Sequence, residues 1–273
     1  MTSASQPDKA SRPAADGALP LDLAALEGNW VSATALAGGV SRLRARQENG
    51  SLLVEASGHD EPRPGTWGEV TADGVFASSA RSAVGHAFTV TFDSDQMSSQ
   101  MQAYQGLGVL TGHAFHRFAD GRRDYFTREF YVPDKNGTGG ASHPVAGGFP
   151  AALRTGGNAP TELLGTWTCL ASATTTRNVH ALRCTAAGDG LAVRAYGVLR
   201  DEPADWGTAD ARLYADAARP DEPPAFLATF DQGYMCVHLQ ARINRGVLVV
   251  CEFTKFTDGN GRSDYFIREC FRR

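Results

Sequence analysis

The stretch DGRRDYFTREF, from Asp120 to Phe130, returns near the end of the chain as DGNGRSDYFIREC, from Asp258 to Cys270. In both places a turn rich in Asp and Gly precedes a run of aromatic and β-branched residues, a pattern typical of a β-strand that follows a turn. Similar segments at corresponding positions of two halves indicate an internal repeat.

Further matches surround these two segments. LEGNW, which ends at Trp30, matches LLGTW, which ends at Trp167, 137 residues later. Trp67 of TWG matches Trp206 of DWG at a spacing of 139 residues, so that all four tryptophans fall into matched pairs. A nearly constant offset of this kind predicts a tandem duplication.

The repeat divides the chain into four segments. Residues 1–20, rich in Ser, Pro and Ala, are expected to be a disordered tail. Residues 21–132 form the first copy and residues 161–273 the second. Residues 133–160, rich in Gly and Pro and without periodicity, are expected to link them.

Within each copy the apolar residues recur with a period of two, which predicts β-strands with one buried face. The alternation predicts these inward positions: Leu52, Val54 and Ala56 in the first copy, and Leu191, Val193 and Ala195 in the second. The tripeptide at 48–50, ENG, is a strong hairpin signal between two such runs. About eight strands are expected per copy, and one segment, Thr208–Ala218, is a weak helical candidate.

Eight antiparallel strands in about 110 residues must protect their edges, and closure into a barrel does so. We therefore expect the last strand of each copy to pair with its first strand. Arg128 and Arg268 on the last strands are expected to cover Trp30 and Trp167 in cation–π contacts.

This combination resembles the calycin superfamily of lipocalin-like barrels, whose mark is Gly-x-Trp on the first strand and an arginine on or after the last strand. The residues that carry the resemblance are Gly28, Trp30 and Arg128 in the first copy and Gly165, Trp167 and Arg268 in the second. The resemblance implies an all-β protein of two tandem antiparallel eight-stranded up-and-down (lipocalin-like) β-barrels. It also implies that these six residues are structural. A barrel of this size is wide enough to hold side chains or one small ligand.

Composition narrows the classes of partner. The formal net charge of the 273 residues is −4, which argues against a nucleic-acid partner. No apolar run reaches the length of a membrane span, and no secretory signal is recognisable, so no membrane partner and a cytoplasmic location are expected. All five cysteines lie in the second half, and we expect reduced thiols. A homo-oligomer is left open.

The sequence points to neither a metal nor a cofactor. His113 and His116 are three residues apart, and residues so spaced on a strand point to opposite faces. DGNGRSD, at 258–264, is expected to be a hairpin turn rather than a calcium loop. The glycine-rich segment at 106–112 does not fit a dinucleotide-binding pattern.

Three polar residues that only one copy carries are the candidate catalytic groups: Glu252, His238 and His113. Glu252 lies in the otherwise apolar run GVLVVCEFTKF, where burial would raise the pKa of its carboxyl and suit it to general acid–base work. The alternative is that Glu252 faces solvent or pairs with an arginine.

Four aromatic residues are candidate ligand contacts: Trp67, Trp206, Tyr125 and Tyr265. Tryptophans at loops or strand starts can line a barrel mouth and stack on a ligand. Since both copies keep all four positions, a role in packing the shared fold is the alternative.

The favoured functional hypothesis is a cofactor-independent cyclase or isomerase, or a related lyase, of small-molecule (secondary metabolite) biosynthesis. It would hold a largely apolar or amphipathic metabolite in a barrel cavity and work by positioning the substrate, with one acid–base group. The alternatives are a non-catalytic intracellular carrier of a hydrophobic small molecule and an interaction module whose barrels are filled by side chains.

Overall fold

The computed structural model describes residues 20–33, 39–58, 66–134, 160–171, 179–188, 190–199, 202–216 and 219–273. The predicted tail at 1–20 and linker at 133–160 lie outside these ranges, apart from residues 20, 133, 134 and 160. The described residues are all-β, without an α-helix. They accordingly contain no helix of the length and apolarity needed to cross a membrane.

Nine strands belong to the first half of the chain. They are β1 (Gly28–Ser32), β2 (Val40–Glu48), β3 (Ser51–Gly58), β4 (Thr66–Thr71), β5 (Gly74–Ala77), β6 (Gly85–Asp93), β7 (Met97–Gly106), β8 (Val109–Phe118) and β9 (Tyr125–Pro133). Antiparallel ladders join β1 to β4 in series and β5 to β9 in series. The last strand of this half, β9, pairs with the first, β1, as expected. Among the described residues no ladder joins β4 to β5, which are separated by Ala72 and Asp73.

Eight strands belong to the second half. They are β10 (Gly165–Cys169), β11 (Ala181–Ala187), β12 (Gly190–Leu199), β13 (Glu202–Tyr214), β14 (Ala225–Asp231), β15 (Met235–Asn244), β16 (Val247–Phe256) and β17 (Tyr265–Arg272). Each pairs antiparallel with the next, and β17 returns to pair with β10. The second half is therefore a closed eight-stranded antiparallel barrel.

Local turn chemistry explains where the hairpins fall. Asn49 and Gly50, between β2 and β3, both have positive φ angles, of 49° and 79°. Two consecutive positive φ angles produce the tight hairpin turn whose twist matches that of the strands, and Asn-Gly adopts them at low cost. The hairpin predicted at 48–50 is confirmed.

The predicted alternation of buried and exposed residues is confirmed in both halves of the chain. Leu52, Val54 and Ala56 are buried in one apolar core, and their neighbours Leu53, Glu55 and Ser57 are partly exposed. In the second half the equivalent positions on β12 are buried in a second core. Each core lies inside the curved sheet of its own half.

The prediction of a helix over Thr208–Ala218 is wrong. Residues 208–214 belong to β13, whose N-terminal part pairs with β12 and whose last three residues pair with β14. Its helix-forming alanines and leucine are overridden because this strand must bridge two neighbours to close the barrel. β13 takes the place that β4 and β5 hold together in the first half.

The predicted arginine–tryptophan contacts are also wrong. Arg128 points to the outer face of its sheet, where its guanidinium lies 4.2 Å from the centre of the Phe130 ring. Arg268 also faces outward, because strand alternation puts it opposite to its inward neighbour Glu269. The guanidinium over Trp167 is that of Arg273, the last residue, at 4.7 Å.

The two halves pack side by side through the outer faces of their sheets. β8 and β16 are consequently buried on both faces along most of their length. Short parallel bridges join Tyr265 to Ala77 and Tyr125 to Ala215 at the two ends of the contact.

Contacts between the halves occur in pairs that correspond when the halves are exchanged. Phe76 of the first half meets Phe253 of the second edge-on at 5.1 Å, and Phe115 of the first half meets Tyr214 of the second edge-on at 4.9 Å. Phe76 and Tyr214 lie 138 residues apart in the sequence, as do Phe115 and Phe253. Two small apolar clusters thus flank the centre of the interface.

Candidate functional site

Glu252 points into the second barrel. It lies on β16 between Leu239 of β15 and Ile267 of β17. Leu248 and Val250, on the same face of β16, belong to the barrel core. The opposite face of β16 is apolar as well because it packs against the first half. This double burial explains why the segment reads as a continuous apolar run interrupted by one carboxylate.

The carboxyl of Glu252 is deeply buried and poorly solvated. The residue is 1% exposed, and the backbone N–H of Val179 donates to its Oε2 at 3.5 Å. Its Oε1 has no hydrogen-bond partner within the described ranges. Burial, with a smaller contribution from the negative charge of Glu269, raises the pKa of Glu252 to about 8, although the hydrogen bond from the N–H of Val179 acts to lower it. Glu252 is therefore protonated at neutral pH. It does not face solvent, and no arginine of the described residues pairs with it, so neither alternative weighed for it from sequence holds.

A second carboxyl lies on the same interior face. Glu269 of β17 is the neighbour in sequence of outward-facing Arg268, and its Cα partner on β16 is Val250, two residues before Glu252. The thiol of Cys169 lies 3.8 Å from Oε2 of Glu269. Cys169, Ile267 and Glu269 remain partly exposed although they belong to the interior-facing set. These three side chains at the end of the barrel are therefore in contact with solvent.

The interior of the first half carries a histidine that sequence reasoning did not select. His116 of β8 is fully buried, with Nδ1 2.8 Å from Oγ of Ser99 and Nε2 3.3 Å from Oγ1 of Thr127. Burial lowers the pKa of His116 to about 3, so the ring is neutral. Its position three residues after His113 is the signal that could have found it, since that spacing places the two rings on opposite faces as predicted.

Glu129 is the interior carboxyl of the first half. It is 2% exposed and accepts a hydrogen bond from Oγ of Ser32 at 2.9 Å. A Cβ at Gly39 would lie 2.7 Å from Oε1 of Glu129, so the glycine allows the strand to approach the carboxylate. Glu129 and Glu269 occupy matching positions of the similar segments DYFTREF and DYFIREC.

His113, predicted as a catalytic group, lies on the outer face of β8, in the contact between the halves. It is 1% exposed, and its Nδ1 lies within hydrogen-bond distance of the side-chain amide of Gln240. Burial lowers the pKa of His113 to about 3, and the positive charge of Arg242 contributes. The structure does not bring His113 together with Glu252 in one chamber.

His238, the third predicted catalytic group, lies on the outer face of β15 and is partly exposed. Its Nδ1 is 3.0 Å from Oγ1 of Thr229, and its Nε2 is 3.8 Å from the sulfur of Cys236. Burial lowers the pKa of its ring, with a smaller contribution from the charge of Lys255. His238 is thus separated by the sheet from the interior that holds Glu252.

The two predicted ligand-binding tryptophans pack inside the sheets. Trp206, 6% exposed, lies so close to Gly197 that a Cβ there would approach its ring to 2.7 Å. Trp67 lies in the same way over Gly58, at 2.9 Å, and meets the ring of His116 edge-on at 5.9 Å. Both rings therefore cover a glycine at the end of the preceding strand.

Tyr125 and Tyr265, the other predicted ligand contacts, begin the last strands of the two halves. Both are buried, at 3% and 7% exposure, where their main chains bridge to the opposite half. Burial raises the pKa of Tyr125 to about 12. Their surroundings are those of packing residues at the junction of the halves.

Two further features bear on ligands. Among the described residues no group of three or more His, Cys, Asp or Glu side chains could hold a metal ion. A groove of about 750 Å³ runs between the halves on the outer surface, and its walls are mostly polar, with Thr91, Ser98 and Gln100 on one side and Thr208 and Thr229 on the other.

No family model matches the chain, and no curated protein matches it. A crystal structure of a protein of unknown function from the DUF3598 family of Nostoc punctiforme is 11% identical, covers 91% of this chain and 97% of its own, and superposes with a TM-score of 0.35. The closed antiparallel barrel fits a calycin-like fold.

Proposed function

We propose that the second barrel is the chamber of a cofactor-independent enzyme that relocates a proton on a small, largely apolar metabolite, as an isomerase or cyclase does. The observation that carries the proposal is the carboxyl of Glu252. It lies inside an apolar barrel, is protonated at neutral pH, and has one oxygen without a hydrogen-bond partner among the described residues.

The two interior carboxyls can divide the chemistry between them. A carboxyl whose pKa is raised to about 8 is a proton donor matched to neutral pH. Glu269 supplies the acceptor, because its negative charge is one of the influences that keep Glu252 protonated. Protonation of the substrate by Glu252, proton removal elsewhere by Glu269 and return of that proton to Glu252 would isomerise the substrate. Atoms and electrons balance without a redox partner.

The surroundings of the two carboxyls favour an apolar substrate. The core that lines this barrel consists of aliphatic and aromatic side chains such as Leu239, Val250 and Phe271. An apolar chamber strengthens the interaction of a carboxyl with charge that develops on a bound molecule. The partly exposed end at Cys169 and Glu269 offers the way in.

The proposal extends to the architecture, in which both halves are lipocalin-like barrels that arose by tandem duplication. Pairing of the first and last strands in each half supports it. The two corresponding contacts across the interface, Phe76 with Phe253 and Phe115 with Tyr214, also support it. A pseudo-two-fold axis that relates the halves would produce each contact twice. In the first half β4 and β5 would then act as one interrupted strand.

The test compares the wild-type protein with the Glu252→Gln variant, both isolated as full chains from the producing cells. Native mass spectrometry first identifies a retained small molecule, which is then incubated with each protein in D₂O. We expect both proteins to retain the molecule and only the wild type to introduce deuterium into it. Glu202→Gln, an exposed glutamate of the same half, is the matched control and should label like the wild type.

Three outcomes would overturn the proposal. If none of the proteins retains a small molecule, the barrel does not bind the proposed metabolite. If Glu252→Gln introduces deuterium at the wild-type rate, Glu252 takes no part in the proton transfer. Binding without labelling by the wild type would identify a carrier of hydrophobic small molecules instead of an enzyme.

A further inference from the structure

Two rows of polar residues face each other at the centre of the contact between the halves. Each row crosses three neighbouring strands on the outer face of its sheet, at matching positions of the two halves. The rows are Gln102, His113 and Arg128 on β7, β8 and β9, and Gln240, Cys251 and Arg268 on β15, β16 and β17.

The rows touch, and further side chains join them. Nδ1 of His113 lies 2.6 Å from Nε2 and 3.0 Å from Oε1 of the Gln240 amide. Arg242, two residues after Gln240 on the same face of β15, acts electrostatically on His113, and so do Arg128 and Arg268. Three guanidinium groups therefore converge on one buried histidine.

The main electrostatic influences on Arg128 and Arg242 include no carboxylate of the described residues. The strongest influences on Arg242, besides its burial, are Arg128, Arg268, Cys251 and Tyr104. Burial raises the pKa of the Cys251 thiol to about 12 and raises the pKa of the Tyr104 phenol, so both groups are neutral at pH 7. Burial and like charges lower the pKa of Arg242 to about 10, which still leaves it protonated. The cluster therefore carries three positive charges.

The cluster also leaves hydrogen-bonding atoms unused. Arg242 is 7% exposed, and its Nε has no partner within the described chain. The same holds for Nε of Arg128, Nε2 of His113 and Oε1 of Gln102, all of them buried. Buried donors and uncompensated buried charges are costly, and native proteins satisfy them with a partner.

We propose that a doubly charged oxyanion, with a phosphate group as the first candidate, binds between the two halves at Arg128, Arg242 and Arg268. Guanidinium groups match the oxygens of phosphate and carboxylate in charge and in planar hydrogen-bond geometry. Arg242 forms the buried end of the site, whereas Arg128 is partly exposed and Arg268 is exposed, which leaves a path from solvent.

This site lies on the outer faces of the sheets, apart from the barrel interior that holds Glu252. It therefore does not rest on the proposed enzymatic activity. An anion held here would contact both halves at once and would stabilise their association, because a ligand that binds only the folded chain raises its stability.

The probes are inorganic phosphate and succinate, each compared with chloride at equal ionic strength. We expect phosphate to raise the thermal midpoint of the wild-type protein in a saturable way beyond chloride, and equilibrium dialysis with labelled phosphate to show one site per chain. Arg268→Met should weaken binding by about tenfold or more, since it removes a charged hydrogen-bond donor. Arg272→Met, which removes an exposed arginine from the same strand, is the matched control and should bind like the wild type.

Arg242→Met separates the anion site from a structural role of the arginine. In chloride buffer without phosphate or succinate this variant should be at least as stable as the wild type, because it removes a buried charge without a partner. It should also lose the phosphate-dependent shift. A response to succinate but not to phosphate would assign the site to a dicarboxylate. Absence of any shift beyond chloride with both anions, or a full shift in Arg242→Met, would overturn the proposal.

Discussion

At the scale of single residues, a glycine lies against the ring of each of the matched tryptophans Trp67 and Trp206 and leaves room for it. A Cβ on Gly197 would lie 2.7 Å from two ring atoms of Trp206, which is closer than packed carbon atoms allow. We expect Gly197→Ala to lower the free energy of unfolding in urea by about 1–3 kcal/mol through overpacking.

The control for this substitution is Gly190→Ala on the same strand. A Cβ there would meet the backbone oxygen of Ala187 at an ordinary 3.5 Å. Its free energy of unfolding should change by about 0.5 kcal/mol or less, as for other substitutions without a steric clash. Equal losses for the two variants would contradict the assignment of the tryptophan ring as the obstacle.

His116 predicts how stability depends on acid. Its pKa is lowered by burial to about 3 in the folded chain, against 6.5 for an ordinary histidine. Between these values only the unfolded chain binds the proton, so the contribution of His116 is complete above pH 6.5 and falls as the pH drops towards 3. The slope reaches at most about 1.4 kcal/mol per pH unit for this one group.

The measurement is urea unfolding of the wild type and of His116→Gln between pH 4 and 7. The wild type should lose stability faster than the variant as the pH falls, with a difference in slope that approaches one proton. His113 is buried in the same way and remains in both proteins, so the variant keeps part of the acid sensitivity. Parallel curves would show that His116 is accessible to protons in the folded chain.

At this scale the sequence predicts the face of the sheet to which a side chain points better than it predicts which residues that side chain contacts. The period of two was sufficient to place His113 and His116 on opposite faces. It could not tell that the outer face of β8 would be covered by β15, because a pattern within one strand carries no information about a second sheet. His113 and His238 were candidate catalytic groups alongside Glu252, and the structure places both on outer faces of the sheets, apart from Glu252.

At the scale of elements, closure of the second barrel depends on β10 and β17, which share a ladder of only two residue pairs. The guanidinium of Arg273 adds to this seam by lying over Trp167 at 4.7 Å. We expect Arg273→Met to lower the free energy of unfolding by about 0.5–1 kcal/mol, the range of an exposed cation–π contact. Arg272→Met, which removes the neighbouring charge without that contact, should leave stability unchanged within about 0.5 kcal/mol.

The seam shows which part of an element can be predicted from its sequence. The repeated YFTREF and YFIREC segments identified the last strands and their pairing with the first strands correctly. The arginine within each segment was assigned to the tryptophan because the last strand was expected to pair with the first strand, which carries the tryptophan. Alternation directs it outward, and the C-terminal arginine takes the position on the ring.

β13 shows the opposite case. Its composition, rich in alanine with one leucine and one arginine, favours a helix over strand residues 208–214. Pairing with both β12 and β14 overrides this preference, because differences in intrinsic propensity are small and tertiary context outweighs them. Local sequence could not reveal that requirement.

At the scale of the whole molecule, the two halves are expected to unfold together. Phe253 is fully buried against Phe76 of the other half, and the contact between Phe115 and Tyr214 is its counterpart. Phe253→Ala should lower the free energy of unfolding by about 3–5 kcal/mol, and Phe115→Ala by a similar amount.

Hydrogen exchange shows which half of the chain each substitution destabilises. We expect Phe253→Ala, although it lies in the second half, to speed exchange of backbone amides on β6 and β8 of the first half as well as on its own strands. Faster exchange confined to the second half would mean that the halves are independently stable and that their interface contributes little.

The contact between the halves is also where prediction from sequence ended. Residues 133–160 were expected to be a linker that permits many relative orientations, so the matching segments alone did not select the faces that meet. The sequence could not reveal the arginine cluster at the centre of the interface for the same reason, since its members are spread over six strands and become neighbours only when the halves dock.

Titration of Glu252 tests the central claim most directly, because the proposed chemistry requires an uncharged carboxyl inside the second barrel. Carbon NMR of the protein labelled at the glutamate carboxyls follows each group, and the signal absent from Glu252→Gln identifies this one. The structure predicts a midpoint near pH 8 for that signal, as burial raises its pKa from the usual 4.5 to about 8. A midpoint near 4.5 would show a solvated carboxylate and would contradict the account.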